Sequence, residues 1–244
     1  MASEETRSIL YKPVNAVWDK VAQATGLEER IPEIPEHVVM AFFVVFLVAL
    51  LTIPLRARLR KRDPGWFQQM MELVTTGLSN MLEDIIGHGA GRRFLPLIGG
   101  FALFIFLSNF IGQFFFLQPP TQNVNTTFTL AIFACVFYHF MGLRQHGIGY
   151  FKQFLGPGPP PAWMWPLMIP LEIVSHLARV LSLGVRLFGN VFGEHMAAGI
   201  FFALVPFLVP LPLMALGLFA SFMQTFIFVV LTTVYIAGAE AEEH

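Results

Sequence analysis

Within an apolar stretch at residues 168–204, Glu172, Ser175, Arg179, Ser182, Arg186 and Asn190 recur at steps of three or four. On an α-helix that spacing gathers them on one face. Arg186 decides what such a face is for. An arginine at the centre of a membrane helix costs at least ~2.5–3.5 kcal/mol on insertion scales, so such charges face a protein interior or a wet cavity and mark ion paths. A guanidinium stays protonated and cannot relay a proton, yet its charge stabilises a carboxylate anion brought beside it. Glu172 before it, and Glu194 and His195 after it, do titrate and can exchange protons with water. Gln224 is a single strongly polar residue deep in the next apolar segment. A fixed charge flanked by titratable groups marks a candidate ion path.

The elements that must position these residues are membrane helices. The chain is 55% hydrophobic and 13% charged, with a mean hydropathy of +0.64, against about 25% charged in a soluble domain. The formal charge of −1 and the scatter of basic residues among loops give no support for nucleic-acid binding. Cys135, the one cysteine, lies in an apolar segment and reads as packing. No metal or cofactor is called for.

The polar N-terminal stretch lacks the basic start and short apolar core of a secretory signal, so the first apolar segment, about 38–55, is expected to remain. Arg56, Arg58, Arg60, Lys61 and Arg62 follow it, and basic loops stay inside, which sets the N-terminus outside. Residues 66–87 read as an amphipathic helix lying at the cytoplasmic interface. Further crossings follow at about 94–117, 127–141, 168–204 and 213–237. The loop before 125 carries no Lys or Arg, and Arg144, His146 and Lys152 return the chain inside. The prolines at 157 and 159–161 mark a semi-rigid turn, with Trp163 and Trp165 as interfacial anchors. A helix over 168–204 would measure ~55 Å against a hydrocarbon core of ~30 Å, and must tilt, bend or kink. Pro206, Pro210 and Pro212 mark the turn after it, and the acidic tail Glu240, Glu242, Glu243 and His244 ends inside. The expected fold is an all-α polytopic membrane protein of about five transmembrane helices plus the interfacial helix, ending in a long, steeply tilted helical hairpin. It is expected to form one membrane domain over 1–244: an external segment 1–37, peripheral helices 38–161 and an ion-path hairpin 162–244.

The run Ser182-Leu183-Gly184-Val185-Arg186-Leu187-Phe188-Gly189-Asn190 resembles the signature of subunit a of the F-type ATP synthases, the static proton-conducting subunit of the membrane sector. A second match covers residues 224–232 with Val234 and Tyr235. The resemblance implies that Arg186 faces the carboxylate of each passing subunit of a rotating c-ring, with Asn190 and Gln224 close to that arginine. It implies that Glu172 serves the cytoplasmic side, and that Ser175 and Ser182 belong to the polar stripe. It further implies a bacterial inner membrane, peripheral stalk subunit b as a partner, protons as the coupling ion, and ATP chemistry carried out by other chains. The sequence departs from the family in the outer part of the path. Where members pair an acid with a histidine across two helices, this chain has His195 preceded by Glu194, and its counterpart seven residues before Gln224 is Gly217. A Glu194–His195 relay, or ordered water, would then replace the usual pair.

Blander readings stand beside these. Arg186 could tie helices together in a salt bridge, and Glu194 and His195 could snorkel to the outer interface. His139, alone on the third crossing, and His176, off the stripe, read as packed side chains. Asn109 and Gln113 read as interhelical hydrogen bonds worth ~0.6 kcal/mol on average. A secondary ion-coupled transporter also uses intramembrane charges on broken helices, but would be expected to show an internal repeat. The long striped helix has no counterpart in the first half of the chain.

Overall fold

The computed structural model describes residues 10–25, 34–57, 65–114, 117–147, 149–150, 164–204 and 210–240. The basic residues Arg58, Arg60, Lys61 and Arg62, the proline-rich turn at 156–161, Trp163, Pro206 and the terminal Glu242, Glu243 and His244 lie outside these residues.

Seven α-helices make up the regular structure of the described residues: α1 Tyr11–Thr25, α2 Glu36–Ala57, α3 Trp66–Ile85, α4 Ala90–Ile111, α5 Val124–His146, α6 Trp165–Leu204 and α7 Pro210–Glu240. Five of them contain stretches long and apolar enough to cross a membrane: Glu36–Ile53, Ala90–Ile111, Val124–His146, Trp165–Phe201 and Pro212–Glu240. The protein is an all-α polytopic membrane protein. In α3, Trp66, Phe67, Met70, Leu73 and Val74 are exposed and alternate with polar side chains, as an amphipathic helix requires. Hydroxyls in the apolar helices turn back on their own backbone: Thr52 donates to Val48 O, Ser221 to Gly217 O and Thr233 to Val229 O, each at 2.8 Å.

The helices differ from expectation in several places. The polar N-terminal stretch contains α1, anchored by Asn15, whose amide accepts from Ile34 N at 3.2 Å and donates to Ile34 O at 3.4 Å. The second crossing begins earlier and ends at Ile111, because the chain turns at Gly112 and Gln113 before Pro119 and the 3-10 turn Pro120–Gln122. The long helix has 40 residues, or ~60 Å at 1.5 Å per residue. Its Pro170 sits early enough that the helix starts only five residues before it.

The helices divide between two compact units, and α4 to α7 each contribute one part to each. One unit is built from the described residues of Met1–Arg60, Leu103–Thr126 and Phe188–Gln224. Its core is Met40, Val44 and Ile111, packed by Leu10, Phe43, Leu47, Val48, Phe104, Leu107 and Leu117. In the same unit the buried Asn109 accepts a 2.7 Å bond from Thr121, which fastens the turn to the end of α4.

The other unit comprises the described residues of Lys61–Ala102, Thr127–Leu187 and Thr225–His244. Phe101 packs edge-on against Phe133 and Phe228, at 5.8 and 5.4 Å, and Phe94 against Phe137 at 6.2 Å. The reversal from α3 to α4 uses Gly87 and Gly89, both with positive φ, a backbone shape that residues with a Cβ rarely adopt. At the ends of three helices Arg93 pairs with Glu240 at 2.8 Å, and Gln145 donates to Glu240 O at 3.3 Å.

Candidate functional site

The helical pattern of α6 explains how it can carry charge through an apolar layer. Leu183, Leu187 and Val191 recur every four residues and are 3%, 0% and 3% exposed, forming a ridge that packs inward. Val174, Leu181, Val185 and Phe192 are exposed on the other side. The polar stripe runs along the boundary between the two. Glu172, Ser175, Arg179 and Asn190 are half-buried, and Ser182 and Arg186 are exposed. Gly184 lets α5 approach closely, since a Cβ there would stand 3.2 Å from the Phe128 ring.

Arg186 has little to bind within the chain. Its Nη2 lies 3.4 Å from Ser182 Oγ, a weak hydrogen bond one turn away. Among the described residues no carboxylate forms an ion pair with it. The salt bridge that would tie Arg186 to another helix is therefore not found among those residues. Its neighbour on the stripe, Arg179, stands over the Tyr235 ring of α7 at 5.3 Å.

Towards the start of α6 the stripe joins a hydrogen-bonded cluster. Glu172 lies 3.3 Å from His176 Nε2, and Nδ1 of the same imidazole lies 2.9 Å from the Tyr138 hydroxyl of α5. His139 Nδ1 is 2.7 Å from the Tyr150 hydroxyl, and the two histidine rings are 4.6 Å apart. Burial pushes the Tyr150 hydroxyl, which lies beyond the end of α5, up to about 12. Both histidines thus have defined hydrogen-bond partners, a placement that their positions in the sequence did not signal. The i, i+4 spacing of Glu172 and His176 was the available clue.

A second group of side chains lies later on α6. Gln113 donates a short hydrogen bond to Glu194 Oε1. The space Glu194 occupies exists because residue 217 has no side chain: a Cβ on Gly217 would overlap Glu194 Oε1 and come within 2.7 Å of Gln113 Nε2. His195 turns to the adjacent turn residue, and a Cβ on Gly112 would stand 2.9 Å from its Nε2. Glu194 and His195 are not themselves an ion pair among the described residues. They point to neighbouring residues of one turn, Gln113 and Gly112. Gln113 is thus a functional candidate that the sequence reading set aside as a helix-to-helix hydrogen bond.

Gln224 on α7 is 4% exposed, and its Nε2 donor has no hydrogen-bond partner among the described residues. A buried amide left in this way costs ~1–3 kcal/mol, the kind of cost tolerated where polar groups serve a function. In the same unit a cavity of about 260 Å³ is lined by Glu36, His37, Gln118, Asn123, Phe188 and Phe192, among others. The sequence-predicted residues therefore fall into two sets, each organised within its own unit: Glu172, Ser175, Ser182 and Arg186 in one, and Asn190, Glu194, His195 and Gln224 in the other.

Comparison with known proteins bears on what such an arrangement serves. The family model described as ATP synthase A chain matches residues 38–237. ATP synthase subunit a 1 of Syntrophotalea carbinolica is 43% identical over 208 residues, covering 85% of this chain and 87% of that protein. ATP synthase subunit a of Geotalea uraniireducens is 41% identical over 209 residues, covering 86% and 89%. The corresponding protein of Citrifermentans bemidjiense is 42% identical over the same length and shares. Matches of this extent, over all five apolar crossings, leave no place for the transporter reading, and the chain belongs to the ATP synthase subunit a family.

Proposed function

We propose that this chain is the static ion-conducting subunit of an F-type ATP synthase membrane sector, with two offset proton half-channels separated by Arg186. The family assigns it a proton-translocating role in that sector. The observation that carries the finer reading is the placement of Arg186, mid-helix, exposed, and with Ser182 as its one hydrogen-bond partner among the described residues. An unpaired guanidinium at that depth is costly unless another chain brings a counter-charge to it. A passing rotor carboxylate supplies one. Permanent burial of the pair would stall rotation, so the contact is brief.

The half-path on the Glu172 side serves the cytoplasm, and the Gln113–Glu194–His195 group serves the outer face. In place of an acid and a histidine on two helices, Glu194 of α6 fills the room left by Gly217 of α7 and is oriented by Gln113. The residues that act are Glu172, Ser175, Ser182, Arg186, Asn190, Glu194, His195 and Gln224. The partners are a c-ring of small two-helix subunits against the exposed side of α6, peripheral stalk subunit b, the rest of the complex and membrane lipid. ATP chemistry is done by other chains. The chain forms one membrane domain in a bacterial inner membrane, N-terminus outside and C-terminus cytoplasmic. Each charge carried across yields ~2.3 kcal/mol per 100 mV, so several protons are collected for each ATP.

The test is ATP-driven proton uptake in vesicles carrying the assembled complex, followed by quenching of a pH-sensitive dye. Arg186→Ala is expected to abolish uptake while the complex stays assembled and hydrolyses ATP. Uptake at a near-normal rate would refute the role given to Arg186.

A further inference from the structure

The hydrogen-bonded cluster at the start of α6 contains two histidines and two tyrosines that the stripe alone does not explain. Exposure rises along one line of it. The Tyr138 residue is 2% exposed, the His176 side chain 12%, and the Glu172 side chain 29%. Each member touches the next: hydroxyl to Nδ1 at 2.9 Å, Nε2 to carboxylate at 3.3 Å. Imidazole is the side chain that can accept a proton on one nitrogen and release one from the other, and here each nitrogen has its own partner. A ring kept only for packing would not need both.

We propose that His176 is a proton-relay residue of the inner half-path, passing protons between the Tyr138 hydroxyl and the Glu172 carboxylate. This rests on the function proposed above. For a proton leaving to the cytoplasm, the Tyr138 oxygen takes a proton from a hydronium ion on the rotor side as its own O–H proton passes to Nδ1. The Nε2–H bond then breaks and its proton goes to Glu172, which releases it to water. One proton enters and one leaves, and the imidazole, left with its proton on Nδ1, returns to its starting tautomer by swinging into the water at Glu172, where Nδ1 releases a proton as Nε2 takes one up. In ATP hydrolysis the steps run in reverse.

The groups around the ring suit this role. On α5, Cys135 lies 3.4 Å from the Tyr138 hydroxyl, and His139 stands beside His176 and is held by Tyr150. On α7, Tyr235 packs on Tyr138 with ring centroids 5.9 Å apart. On α6 itself, Arg179 follows three residues after His176 and stands over Tyr235. A positive charge on His176 faces Arg179 on its own helix and His139 across from it, so like-charge repulsion keeps that state short-lived. Glu172 is the acceptor that draws the proton onward.

The experiment uses the assembled complex in vesicles, with ATP-driven uptake measured for His176→Ala, His176→Gln and Tyr138→Phe across a range of pH. Each is expected to slow uptake roughly tenfold or more, the lower end of what a lost proton-transfer group costs. Added imidazole is expected to restore uptake to His176→Ala, and to do nothing for Tyr138→Phe. His176→Gln keeps polar contacts but cannot relay, so it is expected to stay slow and to lose the wild-type pH dependence. Normal uptake in His176→Gln would overturn the proposal, as would a slow, assembled His176→Ala complex that imidazole does not rescue. If His176→Ala fails to assemble with the ring, His176→Gln and Tyr138→Phe decide alone. Arg186→Ala, run in parallel, separates the two levels. Normal pumping there sinks the function on which the relay rests, whereas loss there with normal pumping in the His176 variants sinks only the relay.

Discussion

Gly217→Ala is a one-carbon change with a calculable consequence. The added Cβ would overlap Glu194 Oε1 and crowd Gln113 Nε2 at 2.7 Å. Both are ends of flexible side chains, so the overlap is relieved by swinging the carboxylate away rather than by separating α6 from α7. What is lost is the Gln113–Glu194 hydrogen bond. A bond to a carboxylate is worth ~1.5–3 kcal/mol when its partner is left unsatisfied. If that displacement falls on the transport barrier, uptake slows by roughly 10- to 150-fold at ~1.4 kcal/mol per decade. The assays are ATP-driven uptake and the thermal midpoint of the solubilised complex. Gly100→Ala is the control, because a Cβ there meets nothing within 4 Å. In a Glu194→Ala background the space is already free, so the stability cost of Gly217→Ala should vanish, a coupling of at least ~1 kcal/mol. An equal cost in both backgrounds, or behaviour matching Gly100→Ala, would refute the reasoning.

Two further outcomes concern the unit that contains α3 and Tyr150. In the Arg93–Glu240 pair the arginine side chain is 42% exposed and the glutamate 9%. Arg93→Ala strands a nearly buried carboxylate and is expected to cost ~1–3 kcal/mol, whereas Glu240→Gln leaves a solvated guanidinium and is expected to cost under ~1 kcal/mol. The reverse order of thermal midpoints would contradict this. The Tyr150 hydroxyl, raised from 10.0 to about 12 by burial, contributes stability that is complete below pH 10 and is lost as pH rises through about 12. Tyr150→Phe should lack this share of the alkaline loss, and an unchanged alkaline denaturation profile would count against it.

The five crossings were legible because each is a long apolar run, and the stripe because a charge inside such a run is expensive. The Arg186 motif and the Gln224 segment were legible as a family resemblance. α1 was not, since its polar and apolar residues are mixed and its anchor, Asn15 to Ile34, spans 19 residues of chain. Gly217 showed in the sequence only as a missing side chain. What fills the gap is set by the pairing of α6 with α7, which brings Glu194 against it. The same holds for His176: its partner Tyr138 lies 38 residues away on another helix, and a lone histidine in an apolar segment carries no sign of that.

The central claim is that Arg186 is both the rotor's counter-charge and the barrier between the half-paths. It is tested most directly by measuring two proton fluxes on Arg186→Ala in the same vesicles: ATP-driven uptake, and passive leak after the soluble sector is stripped off. The account predicts that driven uptake is lost while passive leak persists or rises, because removing the fixed charge joins the two paths. Driven uptake at wild-type rate with unchanged leak would contradict it.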